Sequence, residues 1–422
     1  MRSFKLRNKD AFLLLTLPGL FLADILYGLA IFYSIDLPVT PGVVLRGVLL
    51  TAALLLVFVN HRKAERAEIT WLLVLILFAL PGLLIGLAMT GDVAYNSSSL
   101  LKVLYLPVVS VFFIIYFSRL KVSSSDILGA LEISAYFLGI SLIASQLLGI
   151  QKETYGDYAF GSTGVFYAQN DLTLAFGLSL LAATYRLVFV KLSIIRLFLL
   201  VSSLIACLRI GTNASLAIPV IIVCVLLSVY ILGGVRSSLA SYLIKFFFLA
   251  SVSCIFLYIF LQVLDIYFSY DYQARKIEAL LRGESYRTPL TSAAEQYISQ
   301  RSFFLDIFGE GFDSFHRGVS SYFRGLGERR IVESDPYDIF GAHGLLFACA
   351  IYLYLYKFFA VSLRNAISSR APAIYVLISS AVFLYVFYSV LVGHALTSPI
   401  PSTLLAAYLA SFYVAKKESE AV

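Results

Sequence analysis

The sequence predicts an all-α polytopic integral membrane protein of about 12 transmembrane helices, with one large extracytoplasmic loop between helices 9 and 10. Three observations carry this. Hydrophobic residues make up 60% of the 422 and charged residues 14%, with a mean hydropathy of +0.88. Soluble globular chains carry about 25% charged residues, so the polar surface needed to cover several aqueous domains is lacking. Apolar stretches repeatedly reach the roughly 20 residues that cross a bilayer core as a helix. Finally, Lys and Arg gather on alternate loops, as they do on the cytoplasmic side of membrane proteins.

The apolar stretches run in order over 11–35, 42–60, 69–90, 100–118, 127–148 and 167–189, then 197–211, 214–232, 243–264, 337–359, 373–392 and 402–415. The first is too long for the apolar core of a secretion signal and has no clear small-residue cleavage site, so it reads as a span. The seventh is short for a span. With a cytoplasmic N-terminus, the cytoplasmic segments and adjoining span ends collect 19 Lys and Arg. The short loops on the other side collect two, Lys152 and Arg209. Both termini are therefore expected in the cytoplasm. The net charge of +7 is absorbed by this bias, and no nucleic-acid partner is expected. The four cysteines (Cys207, Cys224, Cys254, Cys349) fall in apolar stretches without a CxxC pair and read as core residues.

The chain divides into 1–264 (helices 1–9), 265–335 (the loop) and 336–422 (helices 10–12 and a tail). The loop holds nine basic and eleven acidic residues, and its bases are eight Arg to one Lys. Arg presents a fixed fork that matches phosphate oxygens bidentately. Residues 272–282 and 292–305 read as short helices, the first amphipathic and near the membrane surface. Phe308-Gly-Glu-Gly-Phe312 reads as a turn; it lacks the Lys-Ser/Thr of a nucleotide loop.

Asp24, Arg46, Lys102, Glu132, Asp171 and Arg209 fall within or at the ends of apolar spans, where ionisable residues are costly and face the bundle interior or a polar cavity. Interhelical pairing, such as Asp24 with Arg46, is the structural alternative. Arg46, Lys102 and Arg209 lie toward the extracytoplasmic side and suit an anionic headgroup such as a lipid diphosphate. The four histidines are scattered, and the Asp335/Asp338 spacing alone is a weak cation signal, so neither metal nor cofactor is expected.

Several stretches resemble the O-antigen polymerase and ligase superfamily of bacterial envelope enzymes, which has twelve spans and a large periplasmic loop between spans nine and ten. Gly164-Val-Phe-Tyr-Ala-Gln-Asn170 is similar to the pattern opening the sixth span. Leu208-Arg-Ile-Gly-Thr-Asn-Ala-Ser215 lies where the family has a Ser-Arg pair thought to hold the donor diphosphate. Here those positions are Thr212 and Asn213, and Arg209, one helical turn earlier, is the substitute cation. Ile307-Phe-Gly-Glu-Gly-Phe312 is similar to the family's glycine turn. Glu333-Ser-Asp-Pro-Tyr-Asp338 leads toward Gly344, and ligases carry a catalytic His where this chain has Glu333. That acidic run, with Gly393-His394, looks more like the exopolysaccharide polymerase branch.

The resemblance implies glycosyl transfer from a polyprenyl-diphosphate-linked oligosaccharide on the periplasmic face of the inner membrane. The reaction must neutralise the leaving diphosphate and orient an acceptor hydroxyl. Arg46, Lys102, Asn170, Arg209, Arg275, Arg287 and Arg301 are the candidate substrate-binding residues. Glu333, Asp335 and His394 are the candidate catalytic ones, one of them as general base. A polymerase is the favoured reading. A ligase acting on lipid A core or protein, and a lipid-linked oligosaccharide flippase, are the alternatives. Membrane lipid is an expected partner, and a chain-length regulator is a partner class left open.

Overall fold

The computed structural model describes residues 8–37, 40–59, 63–150, 152–153, 161–166, 168–234, 239–270, 275, 278–279, 282, 287–323, 329–368 and 372–420. The twelve apolar stretches read from the sequence fall on helices. The first is two helices, α1 (Asn8–Thr16) and α2 (Pro18–Phe32), because Pro18 has no N–H to continue the ladder yet fits a first helical turn. Then follow α3 (Pro41–Val59), α4 (Lys63–Thr90), α5 (Val93–Arg119) and α6 (Ser124–Leu147). A two-stranded antiparallel hairpin of β1 (Lys152–Glu153) and β2 (Ser162–Gly164) leads into α7 (Gln169–Tyr185). α7 ends in a π-helical turn, Arg186–Val190, before α8 (Ile194–Leu208), α9 (Asn213–Gly234) and α10 (Leu239–Phe268).

Among the described residues, seven helical stretches are long and apolar enough to cross a membrane: Asn8–Phe32, Arg66–Thr90, Val93–Arg119, Ser124–Leu147, Gln169–Val190, Asp335–Ile367 and Ala373–Leu391. Pro41–Leu55, Ile194–Leu208, Asn213–Leu227 and Leu257–Ile266 are shorter apolar helices. The helix expected over 272–282 lies largely outside the described residues. The one expected over 292–305 is instead two, α11 (Thr288–Ser299) and α12 (Phe303–Phe308), separated where Ser302 takes an extended backbone as the cap of the second. The glycine turn is present, with Gly309 at φ 77° and Gly311 at φ 78°, and opens α13 (Phe312–Tyr322).

α14 (Asp335–Ser368), α15 (Pro372–Leu391) and α16 (Pro399–Glu420) complete the chain. α14 is broken at Gly344, whose φ of 74° is a left-handed conformation. A Cβ there would sit 2.2 Å from the Ile307 carbonyl oxygen, so only glycine lets the α12 end pass this close. The expected tenth span is therefore a short leading helix, which carries Asp338, and a longer helix beyond the break.

α5 is the centre of the bundle: from Val103 to Ile115 every residue is buried, and it packs on α16, α4 and α3. The entry to α6 is closed by reciprocal Ser123 and Asp126 capping bonds. Lys9 pairs with Asp126, and Ser124 donates to Glu418. The first and last helices thus meet at the α6 entry, at the opposite end of the bundle from the hairpin and α11–α13. Three of the intramembrane charges sit in interhelical pairs. Arg46 holds Asp24 at 2.6 Å; Glu132 takes Arg186 at 2.8 Å and Arg196 at 3.3 Å. Glu68, buried and bonded by Lys357 and Tyr413, forms a further such cluster.

Candidate active site

One face of α5 breaks the apolar pattern. Tyr95, Ser98, Ser99 and Lys102 follow the i, i+3, i+4, i+7 spacing of a single helical stripe. That stripe forms a wall of a cavity of about 750 Å³ at the end of the bundle where α11–α13 sit. Lys152, Glu153 and Thr163 of the hairpin and residues 168–171 at the start of α7 line a second side. Phe312 and His316 of α13, Ile331 and Asp338 line a third, and His394, Thr397 and Ser398 of the turn before α16 complete it.

His316 joins two of these walls. Its Nδ1 is 2.8 Å from the Tyr95 hydroxyl and its Nε2 is 3.0 Å from Asp338 Oδ1. Asp338 Oδ1 also accepts the Val332 N–H at 3.1 Å. On the α7 side Asp171 lines the cavity together with Lys102, His394 and Ser398. Tyr388 donates to the Asn170 carbonyl at 2.8 Å, fixing the start of α7.

The turn that carries His394 is held tightly. Arg287 Nη1 donates to the Leu391 carbonyl at 2.8 Å while its Nε lies 3.5 Å from Glu333. Asp335 Oδ2 accepts the Leu396 N–H at 2.8 Å. Gly393 (φ 73°) passes so close to Glu333 that a Cβ would lie 2.3 Å from its carbonyl oxygen. Glu333 and His394 themselves adopt φ of 62° and 63°, a conformation rare for residues with a Cβ. Such strain persists only where surrounding structure fixes it.

Of the residues singled out in the sequence, Lys102, Asn170, Asp171, Asp338 and His394 line the cavity. Glu333, Asp335 and Arg287 stand behind the His394 turn instead of lining it. Arg46 is taken by Asp24. Arg209 is exposed at the end of α8, where its carbonyl accepts the Ser162 N–H at 2.9 Å, one residue from the lining Thr163. Arg275 is exposed, with its immediate neighbours outside the described residues. Arg301 is turned inward: its guanidinium binds Glu310 at 3.2 Å, Asp306 at 3.0 Å and the Gly341 carbonyl at 3.0 Å. Its side chain is 2% exposed, so its fork braces α11–α13 against α14, and it is not among the residues that line the cavity.

Asp335 and Asp338 were paired by spacing but diverge, one to Leu396 and one to His316. Among the described residues, no group of three His, Cys, Asp or Glu is placed to hold a metal ion. Sequence reasoning missed Tyr95 and His316, and it did not join them to Asp338 and Asp171, which it had named separately. The polar stripe on α5 was a signal for Tyr95; the others meet only in three dimensions.

The loop helices are tied down by charge. Asp313, at the start of α13, binds Arg317 and Arg329, and Arg329 also reaches Asp92, the cap of α5. Burial alone raises the Asp313 pKa, but hydrogen bonds from Arg317, Thr90 and Arg329 hold it below the usual carboxylate value. Burial, and then the hydrogen bond to Glu310, push the Tyr297 phenol up.

A family model described as "O-antigen ligase like membrane protein" matches residues 9–279, more than half of the 422-residue chain. The matched stretch carries the α5, hairpin and α7 walls of the cavity, whereas residues 312–398 contribute the rest. No curated protein matches the chain.

Proposed function

The chain belongs to the O-antigen ligase-like membrane proteins, and from that membership we propose that it is a polysaccharide polymerase. It would transfer the growing glycan from a polyprenyl-diphosphate donor to the sugar hydroxyl of a lipid-linked repeat unit. The observation that carries the reading is the polar cavity at one end of an otherwise apolar bundle, where Lys102, Lys152, His316 and His394 face carboxylates across about 750 Å³. That volume lies in the range of small-ligand sites.

The chemistry divides between the walls. Lys102 and Lys152 meet the developing charge of the leaving diphosphate, with Arg209 just beyond the hairpin. His394 and Asp171 orient the acceptor hydroxyl. Glu333, Asp335 and Arg287 act through the His394 turn that they brace. Arg46 and Arg301 serve the bundle and not the ligand. Polymerase is favoured over ligase because Glu333 occupies the place of the ligase imidazole, and its carboxylate is directed to Arg287 instead of the cavity. The basic bias of the opposite end supports a cavity on the periplasmic face of the inner membrane.

Purified protein incubated with polyprenyl-diphosphate-linked repeat units is expected to give a ladder of glycans, unchanged by a chelator. A single capped product, formed only when lipid A core or a protein acceptor is added, replaces polymerase with ligase. No transfer to any of these acceptors contradicts the enzymatic reading and leaves the flippase alternative.

A further inference from the structure

Tyr95, His316 and Asp338 come from three separate segments, and all three line the cavity. The hydrogen bonds between them have a direction. Asp338 Oδ1 accepts the Val332 N–H, so it is an acceptor toward His316 as well, and Nε2 of the imidazole carries the proton. In the neutral ring Nδ1 is then the lone-pair nitrogen, and the Tyr95 hydroxyl donates to it across 2.8 Å. The phenol oxygen keeps its own lone pairs for a cavity ligand. The Arg329 guanidinium lies over the Tyr95 ring, 4.6 Å from its centroid, and is itself fixed by Asp313 and Asp92.

We propose that Tyr95 is the catalytic proton acceptor for the sugar hydroxyl, working through a relay in which His316 and Asp338 are positioning residues. The acceptor O–H gives its proton to the Tyr95 oxygen as Tyr95 passes its own to His316 Nδ1. The imidazolium so formed is stabilised by the Asp338 carboxylate, the same division of roles as in a serine–histidine–aspartate triad. Meanwhile the acceptor oxygen bonds to the anomeric carbon, and the anomeric C–O bond breaks with its electron pair on the diphosphate. The relay resets when the extra proton returns through Tyr95 to water. A histidine with both nitrogens bonded is also a common structural arrangement. In that arrangement the phenol oxygen only satisfies Nδ1; in the relay it must also take the proton of the acceptor hydroxyl.

This inference rests on the glycosyl-transfer reading. Tyr95→Phe removes one oxygen and keeps the ring beneath Arg329; loss of the bond to the buried His316 Nδ1 is expected to lower thermal stability only modestly, with donor affinity at the wild-type value. The single-turnover rate of transfer is expected to fall by roughly 10² to 10⁴, the range for a lost general base. Asp338→Asn, which keeps an acceptor for Nε2 but removes the charge, is expected to lower kcat with little change in KM. Transfer at the wild-type rate in Tyr95→Phe overturns the relay while leaving the function intact. A loss of rate that follows loss of folded protein in both variants reduces the trio to structure. Absence of transfer by the wild-type protein overturns the function and the relay together.

Discussion

Glu333 and Arg301 show how residue type and residue role part company. Each was singled out for chemistry that its type permits, and each is used in the fold for position. Glu333 sits in a left-handed backbone, ion-paired to Arg287 and pressed against Gly393. Glu333→Gln is expected to lower thermal stability modestly while turnover per folded molecule stays within a few fold; a loss of about 10² or more restores it to a base role. Arg301 offers a sharper case. Removing its charge leaves the fully buried Glu310 with only the Tyr297 and Ser314 hydroxyls as partners, and breaking a buried pair in this way costs about 3–5 kcal/mol. Arg301→Met is therefore expected to unfold the α11–α13 region at temperatures that the wild type survives, as read by thermal denaturation of the purified protein. Unaltered stability with weakened donor binding is the opposite outcome and returns Arg301 to the substrate.

At the scale of elements, α11–α13 form a small cap with its own apolar cluster of Ala293, Ala294, Phe315, Val319 and Val332, clamped to α5 through Asp92, Arg329 and Asp313. The sign of its pH dependence follows from Asp313. Its folded pKa is lowered, so its contribution to stability is complete above the ordinary carboxylate value of about 4. The contribution is lost as pH falls through the lowered folded value, because the unfolded chain binds the proton first. The protection factors of amide hydrogen exchange in 312–322 are expected to fall on acidification, and Asp313→Asn to lower them at neutral pH and flatten that dependence. The helices themselves were legible in the sequence, because an apolar run of bilayer length has few other structures open to it. The break at Gly344 was not, since it is set by the approach of the Ile307 carbonyl, a tertiary event with no local sign beyond the glycine. The polar stripe of α5 was written in the sequence at helical spacing, but His316 and Asp338 are 22 residues apart and meet only because α13 folds back over the start of α14.

Across the whole molecule, charge is sorted to the two ends. Lys9, Asp126 and Glu418 bring the first and last helices together at one end, and the cavity, hairpin and cap occupy the other. The fold thereby presents a polar chamber at one end of the bundle, which suits a substrate that keeps its lipid in the bilayer while its sugar reacts. The most direct test of this account is where the substrate sits. Ser98 lies exposed on the α5 wall, so Ser98→Cys, in a chain with its four native cysteines replaced by alanine, reports on the chamber. In purified protein that still makes glycan, a polyprenyl-diphosphate-linked repeat unit is expected to slow alkylation of that cysteine in proportion to occupancy. Glycan synthesis with an unchanged alkylation rate contradicts the account, because transfer would then be taking place elsewhere in the protein.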